Sequence, residues 1–155
     1  MSLQNDTKEN NDYTTLSRLP KKEQVEGKVV YARRHLVHSP DNHYLLEKLG
    51  QICILKGEIF SAVKCFKKSI MLTGESDAIS WLSLGKSIFL LGNYPGAQKI
   101  FSTFLRLNPN SEEARVGLCL CLIKGRDWVA IKPTLLEMLK TPLLSHKSLL
   151  EIALY

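Results

Sequence analysis

The hydrophobic residues of this chain recur at spacings of three and four from residue 21 almost to its end, which is the period of a helix buried along one face. Short polar or glycine-containing segments interrupt the pattern at regular distances. The pattern predicts eight helices, at residues 21–38, 44–56, 59–73, 77–91, 94–107, 112–125, 128–140 and 142–154. Residues 1–17 are polar and are expected to form a flexible tail, which leaves residues 18–155 as one helical domain.

The breaks between these segments contain residues that end or begin helices. Glycine accepts the left-handed backbone conformation of a helix cap, so Gly57, Gly92 and Gly125 are expected to mark helix ends. Side-chain oxygens that can accept from the amides of a first helical turn precede four segments, at Asp77, Asn93, Ser111 and Asp127. Pro133 lies inside the segment 128–140, so that helix is expected either to kink or to start late.

Two neighbouring segments repeat each other at a constant offset of 35 residues. The matching pairs are Leu49 and Leu84, Gly50 and Gly85, Gly57 and Gly92, Ala62 and Ala97, and Phe66 and Phe101. A repeat of this length made of two helices is one structural unit that buries its apolar face by stacking on its neighbours. The sequence therefore predicts an all-α stack of antiparallel helix pairs.

These positions resemble the tetratricopeptide repeat, whose pattern is Trp-x2-Leu-Gly-x2-Tyr, then Ala-x3-Phe, then Pro. The matching residues are Trp81, Leu84, Gly85, Ala97, Phe101 and Pro109, and Ile88 stands in place of the tyrosine. The resemblance covers about residues 21–140. It implies a right-handed superhelical stack of about three units with flanking helices.

The resemblance also implies how the chain divides into units, at about residues 43–76, 78–110 and 112–140. In the last unit Leu118 and Cys119 take the Leu-Gly positions, and Ala130 provides the small residue of the second helix one position early. Residues 21–38 are expected to be the second helix of an incomplete unit. The helix 142–154 is expected to cap the stack, since the ends of such repeat proteins need covering.

In proteins of this family the first helix of each unit lines a concave surface, and the resemblance places a partner-binding groove there. Its expected residues are Tyr44, Glu47, Lys48, Gln51, Ile79, Leu82, Lys86, Phe89, Val116, Leu120 and Ile123. The first unit offers mainly polar groups and the next two mainly apolar ones, which suits an amphipathic helix or an apolar segment of a partner. The alternative is that the protein's own C-terminal helix fills the groove, or that this helix joins the chain to a copy of itself or to another protein.

The resulting hypothesis is a protein-interaction module that binds a protein or peptide partner, without enzymatic activity. One form resembles the small tetratricopeptide chaperones of bacterial secretion systems; an alternative is a scaffold subunit of a multiprotein assembly. Binding to the acidic tails of heat-shock chaperones is not expected, because Glu47 and Glu113 would repel a carboxylate. RNA binding through the basic residues 18–34 is a second alternative, weakened because only Tyr31 accompanies them as an aromatic residue.

The composition adds little chemistry to this hypothesis. The net charge of +6 is compatible with solubility or with an acidic partner. No signal sequence or membrane-spanning run is evident, and four cysteines without a Cys-x-x-Cys pair favour a reducing, cytoplasmic location. We expect no cofactor and no metal, because His35 and His38 lack further ligands. The phosphate-loop-like run Leu84–Ser87 lacks the preceding glycine and falls within a predicted helix.

Overall fold

The structure, a computed structural model, describes residues 21–139 as seven α-helices without a β-strand in that range. The helices are α1 (Lys21–His38), α2 (His43–Leu55), α3 (Ile59–Thr73), α4 (Ala78–Leu90), α5 (Tyr94–Leu107), α6 (Glu112–Lys124) and α7 (Trp128–Leu139), and a short 3-10 turn at Gly74–Ser76 joins α3 to α4. Their bounds agree with the predicted ones to within one residue. The predicted tail 1–17 and the predicted capping helix 142–154 lie outside the described residues.

The helices form an all-α stack of antiparallel pairs, as the repeat predicts. Each helix packs against the next one along the chain, and α2 also contacts α4, just as α4 contacts α6. We call α2, α4 and α6 the A helices, and α1, α3, α5 and α7 the B helices. The contacts between successive A helices place them on the inner side of the stack. The division into units at about 43–76, 78–110 and 112–140 is compatible with this packing and stays a prediction.

Two phenylalanines from B helices fill the spaces beside glycines of the A helices. Phe66 is fully buried against Gly50, where an added Cβ would lie 2.7 Å from the ring. Phe101 is buried between Gly85 and Gly117, and a Cβ at either position would lie 2.6 Å from its ring. Since real Cβ atoms do not approach ring carbons so closely, the absence of a side chain at these glycines is what lets the helices meet.

The last unit repeats this arrangement, but its matching positions come one residue earlier than the 35-residue offset predicts. Cys119 is fully buried in a cluster that includes Leu135, which stands where Phe66 and Phe101 stand in the earlier units. The backbone amide of Ile131 donates to the carbonyl of Asp127, as Ala62 and Ala97 donate to residues 58 and 93. Ile131 therefore takes the place of those alanines, and our assignment of Ala130 to that place was wrong.

The predicted helix-start residues all act as caps. The side chains of Asp77, Asn93, Ser111 and Asp127 each accept a hydrogen bond from the amide three residues later. Asn42 does the same for Leu45 at the start of α2. Each bond satisfies an amide that has no partner within the helix, so these side chains fix where the helices begin.

The helix ends differ from the prediction at one point. Gly57 and Gly92 adopt positive φ angles of 77° and 75°, as expected. In the last unit, however, Gly125 has a φ of −75° and the left-handed position falls on Arg126, with a φ of 57°. The backbone amides of Gly57, Gly92 and Arg126 each donate to the carbonyl three residues earlier. The three positions are therefore equivalent. Our assignment of Gly125 to the left-handed position was wrong.

We expect Arg126→Gly to stabilise the protein. A side chain in the left-handed region costs about 1–2 kcal/mol, and glycine removes this strain while adding entropy to the unfolded chain. The net gain in the free energy of unfolding should be about 0.5–1 kcal/mol, measured by urea denaturation. Arg126→Lys is the matched control and should change nothing, since Arg126 is exposed. A loss of stability in the glycine variant would show that the arginine side chain makes a contact worth more than the strain.

Pro133 is accommodated inside α7 without a late start, because that helix begins at Trp128. Proline has no amide to offer the carbonyl of Val129. Both Pro133 and Val129 are exposed, with 87% of Val129 accessible, so water can serve that carbonyl. The alternative of a late helix start is therefore wrong.

Candidate functional site

The residues that the sequence assigned to a groove lie on α2, α4 and α6, the helices of the inner layer. We call the surface of these helices the A-helix face and define it by the exposed and half-exposed positions of α2, α4 and α6. The expected residues differ in how far they are accessible. Tyr44, Ile79 and Lys86 are exposed, Glu47 and Val116 are buried, and Lys48, Gln51, Leu82, Phe89, Leu120 and Ile123 are half-buried.

The four expected residues of α2 form one polar cluster. Glu47 accepts hydrogen bonds at 3.0 Å from Lys48 Nζ and from Gln51 Nε2 at the same Oε1 atom. The ammonium of Lys48 also lies 5.1 Å from the centre of the Tyr44 ring. The hydrogen bond to Glu47 raises the pKa of Lys48. The negative charge of Glu47 is thus neutralised and largely covered by its neighbours.

The expected residues of α4 are divided between the core and the surface. Leu82 and Phe89 pack against the buried cluster around Phe101, and the Phe89 ring lies 5.3 Å from that of Tyr94. Ile79, in contrast, has 52% of its surface exposed. Among the expected residues of α4, Ile79 and Lys86 are therefore the ones that a partner can reach most fully.

The expected residues of α6 contribute mainly to packing. Val116 is 5% exposed and forms a buried pair with Cys119, against which Leu120 and Leu135 pack. Val116 therefore belongs to the core of the last unit, where its side chain stabilises α6 against α7. Leu120 and Ile123 keep only part of their surface for a partner.

Two exposed leucines of the A-helix face were not among the expected residues. Leu55 is 76% and Leu90 is 58% exposed. Each lies eleven residues after an expected groove residue, Tyr44 and Ile79 respectively, and eleven residues are close to three full turns. The same 35-residue offset relates Leu55 to Leu90, so the repeat itself contained the signal. The structure thus places two exposed apolar side chains along one side of α2 and two along one side of α4.

A depression of about 460 Å³ lies between Ala78 at the start of α4 and the loop that joins α5 to α6. Leu82, Phe104 and Leu107 contribute apolar surface to it, and Asn110 and Glu113 contribute polar groups. A depression with apolar walls and a polar margin suits one side chain of a bound peptide.

The cysteines are poorly suited to nucleophilic chemistry. All four are free thiols, and Cys53, Cys119 and Cys121 are buried. Burial raises the pKa of Cys65 and of Cys119 to about 11 and that of Cys121 to about 12. Because the thiolate is the reactive form, these thiols are almost wholly unreactive at neutral pH.

Between residues 21 and 139, no group of three or more His, Cys, Asp or Glu side chains is arranged to hold a metal ion. The run Leu84–Ser87 lies in the middle of α4, and the hydroxyl of Ser87 donates to the carbonyl of Ser83 at 2.7 Å. None of the helices in the described part of the chain combines the length and the apolar character needed to cross a bilayer.

The solved structures with a similar fold include MamA, PilF and Naa15, which are helical-repeat proteins of the tetratricopeptide type. One is MamA, with a TM-score of 0.60 and 22% identity over 72% of this chain and 71% of that chain. Another is PilF of Pseudomonas aeruginosa, with a TM-score of 0.67 and 18% identity over 90% of this chain and 62% of that chain.

A third similar structure is that of Naa15/Naa10 bound to HypK-THB, with a TM-score of 0.62 and 22% identity. The match covers 95% of this chain but only 22% of that one. No protein-family model and no curated protein matches the sequence. At these identities the likenesses establish the fold.

Proposed function

Because the chain has the tetratricopeptide-repeat fold, we propose that it is a protein-interaction module whose A-helix face binds an amphipathic helix or an apolar peptide of a partner protein. The exposed apolar side chains on adjacent A helices are the observation that supports this proposal most directly. Tyr44, Leu55, Ile79 and Leu90 are between 52% and 76% exposed. Isolated exposed apolar residues are common on proteins, whereas an ordered group of them is typical of an interaction surface.

The spacing of these side chains suits a helical partner. Eleven residues of α-helix span about 16 Å, so each pair marks the two ends of a three-turn surface. Since α2 and α4 are in contact, their two pairs lie side by side. A partner helix of three to four turns lying across them would bury its own apolar stripe on these residues.

The polar cluster of α2 supports selectivity within that binding. Lys48 is half-buried and is held by Glu47 and by the Tyr44 ring, so its ammonium has little freedom left to lose on binding. A polar group already fixed in place adds orientation to a mainly apolar contact at a small entropic cost. We propose that this cluster sets the direction in which the partner lies.

The test is an affinity purification with the wild-type chain and with the double variant Ile79→Asp/Leu90→Asp. Two carboxylates on the A-helix face should reduce partner recovery at least about tenfold, because charges would be buried without partners. Since both residues are exposed, the melting temperature should stay within about 3 °C. Met71→Asp is the matched control, because Met71 is 84% exposed on a B helix. Equal recovery with both variants would contradict the proposal.

The identity and behaviour of the recovered protein distinguish two forms of the proposal. A chaperone of an exported protein should recover one stoichiometric partner that aggregates when it is expressed alone. A scaffold subunit should recover several proteins that remain together through size-exclusion chromatography. In either case, loss of binding in Ile79→Asp/Leu90→Asp is required.

A further inference from the structure

The outer surface of α3 shows a second exposed stripe. Phe60, Lys64, Lys67 and Met71 follow one another at spacings of four, three and four, so they lie on one side of the helix. Phe60 is 74% and Met71 is 84% exposed, and both lysines are exposed as well. This side is opposite to Ala62, Phe66 and Ser69, which are buried. The stripe thus has an apolar side chain at each end and two cations between them.

The repeat places a corresponding stripe on α5. The residues 35 positions later are Pro95, Lys99, Ser102 and Arg106, and three of them, Pro95, Lys99 and Arg106, are exposed. Together with Gln98 and Thr103, these four residues line a depression of about 560 Å³. Its walls contain two cations and two hydroxyl groups, which are the donors that bind phosphate oxygens. The two helices are successive members of the B layer, and Ile100 of α5 packs against the cluster that contains Ala62 and Phe66.

The charge of this surface is one-sided. Neither α3 nor α5 contains an aspartate or a glutamate. Lys68 forms an ion pair with Asp41 at 3.5 Å, but Lys64, Lys67, Lys99 and Arg106 form none with any residue of the described segment. Four cations without an acidic partner among residues 21–139, on two successive B helices, create a positive field that attracts an anionic surface. We call these four cations with Phe60 and Met71 the B-helix face.

We propose that the B-helix face docks the protein onto an anionic lipid surface. The cations would lie over phospholipid head groups, with one head group seated in the depression on α5. The side chains of Phe60 and Met71 would enter the boundary between head groups and acyl chains. Basic residues combined with exposed apolar side chains are typical of segments that lie on a membrane without crossing it.

Apolar side chains at the same register of the flanking B helices extend this surface. They are Val30 and Val37 on α1, and Val129 and Leu136 on α7, all more than half exposed. A protein that bound nucleic acid here would gain more from aromatic side chains, on which bases stack. Phe60 is the one aromatic side chain among these exposed apolar residues, and the predominance of aliphatic ones favours lipid over nucleic acid as the occupant. Docking through the B helices would leave the A-helix face free for a partner.

The first experiment is co-sedimentation of the full chain with vesicles of phosphatidylcholine alone and with vesicles containing 30% phosphatidylserine, a composition we choose as about a third anionic lipid. The wild-type protein should bind only the anionic vesicles. One cation near such a surface contributes about a fivefold gain in partitioning, so a charge reversal should lower it about 20–30-fold. Lys99→Glu should show this loss, and Lys86→Glu, the same change on the A-helix face, should lower binding less than about threefold.

The second experiment tests insertion of the apolar ends. An environment-sensitive dye is attached to Met71→Cys, and the raised pKa values of the native thiols leave the introduced cysteine as the reactive one. Its emission should shift to the blue when anionic vesicles are added. A dye attached to Ile79→Cys, on the other face, should not shift.

Three results would overturn the proposal. One is equal binding to neutral and anionic vesicles, another is an equal loss in Lys86→Glu and Lys99→Glu, and the third is tighter binding to a single-stranded oligonucleotide than to vesicles. Each result would remove the lipid surface as the occupant of the B-helix face. None of them would affect the proposed partner binding, which is tested with different variants.

Discussion

Replacing Gly85 by leucine should abolish cooperative folding. A Cβ at residue 85 would lie 2.6 Å from a ring carbon of Phe101, and leucine adds three further carbon atoms. Phe101 cannot withdraw, because it is 1% exposed and its ring already touches Gly117 on the other side. We expect the free energy of unfolding to fall by about 4 kcal/mol or more, which is a large part of the stability of a domain this size. Circular dichroism during urea denaturation measures the change.

Three further variants distinguish a steric clash at residue 85 from the mere loss of glycine. Lys86→Leu, one residue later on the exposed side of α4, should leave stability within about 0.5 kcal/mol. Gly85→Ala should destabilise the wild type even though alanine favours helices by about 1 kcal/mol. In a Phe101→Leu background, where the ring is gone, the same alanine should be nearly neutral or stabilising. A stabilising Gly85→Ala in the wild type would contradict the packing described here.

The sequence predicted the helices and their order because the local signals agree with the tertiary structure. Caps such as Asp77 and Asn93 act within one helical turn, so their effect does not depend on distant residues. The close contact between Gly85 and Phe101 was predictable because the 35-residue repeat shows both positions twice. Where the repeat shortens in the last unit, the prediction failed by one residue, at Arg126 and at Ile131.

The accessibility of the A-helix face was harder to predict than its location. The register of the repeat places Glu47 and Val116 on the A helices, but it does not predict how much of each side chain is covered by neighbouring residues. Glu47 is covered because Lys48 and Gln51 bond to it, and Val116 because the last unit closes around Cys119. Both effects arise from contacts between particular side chains. Leu55 and Leu90 were both missed although they repeat each other, because the resemblance that supplied the expected residues does not show how exposed each position is.

Asp77 should be the polar residue whose loss costs the most stability. One carboxylate oxygen caps α4 by accepting from the amide of Ser80 at 2.9 Å, and the other accepts from the hydroxyl of Ser69 at 2.7 Å. Ser69 is fully buried on α3 and also lies 3.3 Å from the carbonyl of His43 at the start of α2. This network joins the beginnings of two A helices through one B helix.

We expect Asp77→Ala to lower the free energy of unfolding by about 2–4 kcal/mol. The lost cap accounts for about 1 kcal/mol, and the weakened bonding of the buried Ser69 hydroxyl for about 1–3 kcal/mol. Urea denaturation at neutral pH measures the change. Asp77→Asn keeps an oxygen for the Ser80 amide and should cost about half as much. If the two variants were equally stable, the carboxylate would contribute nothing through Ser69.

The contribution of Asp77 should also depend on pH in a defined direction. Burial raises the pKa of this carboxyl, but the hydrogen bonds from Ser80 and Ser69 lower it by more, so the net pKa lies below its usual value. A carboxyl with a lowered pKa in the folded state stabilises the protein fully above its unfolded pKa of about 3.9, and this stabilisation is lost as the pH falls through the folded pKa. The difference in unfolding free energy between wild type and Asp77→Asn should therefore be constant from pH 7 to about pH 5 and shrink below pH 4. A difference that grows on acidification would mean that the folded protein prefers the protonated acid at residue 77, and the network that joins α2, α3 and α4 would then be held by a neutral group.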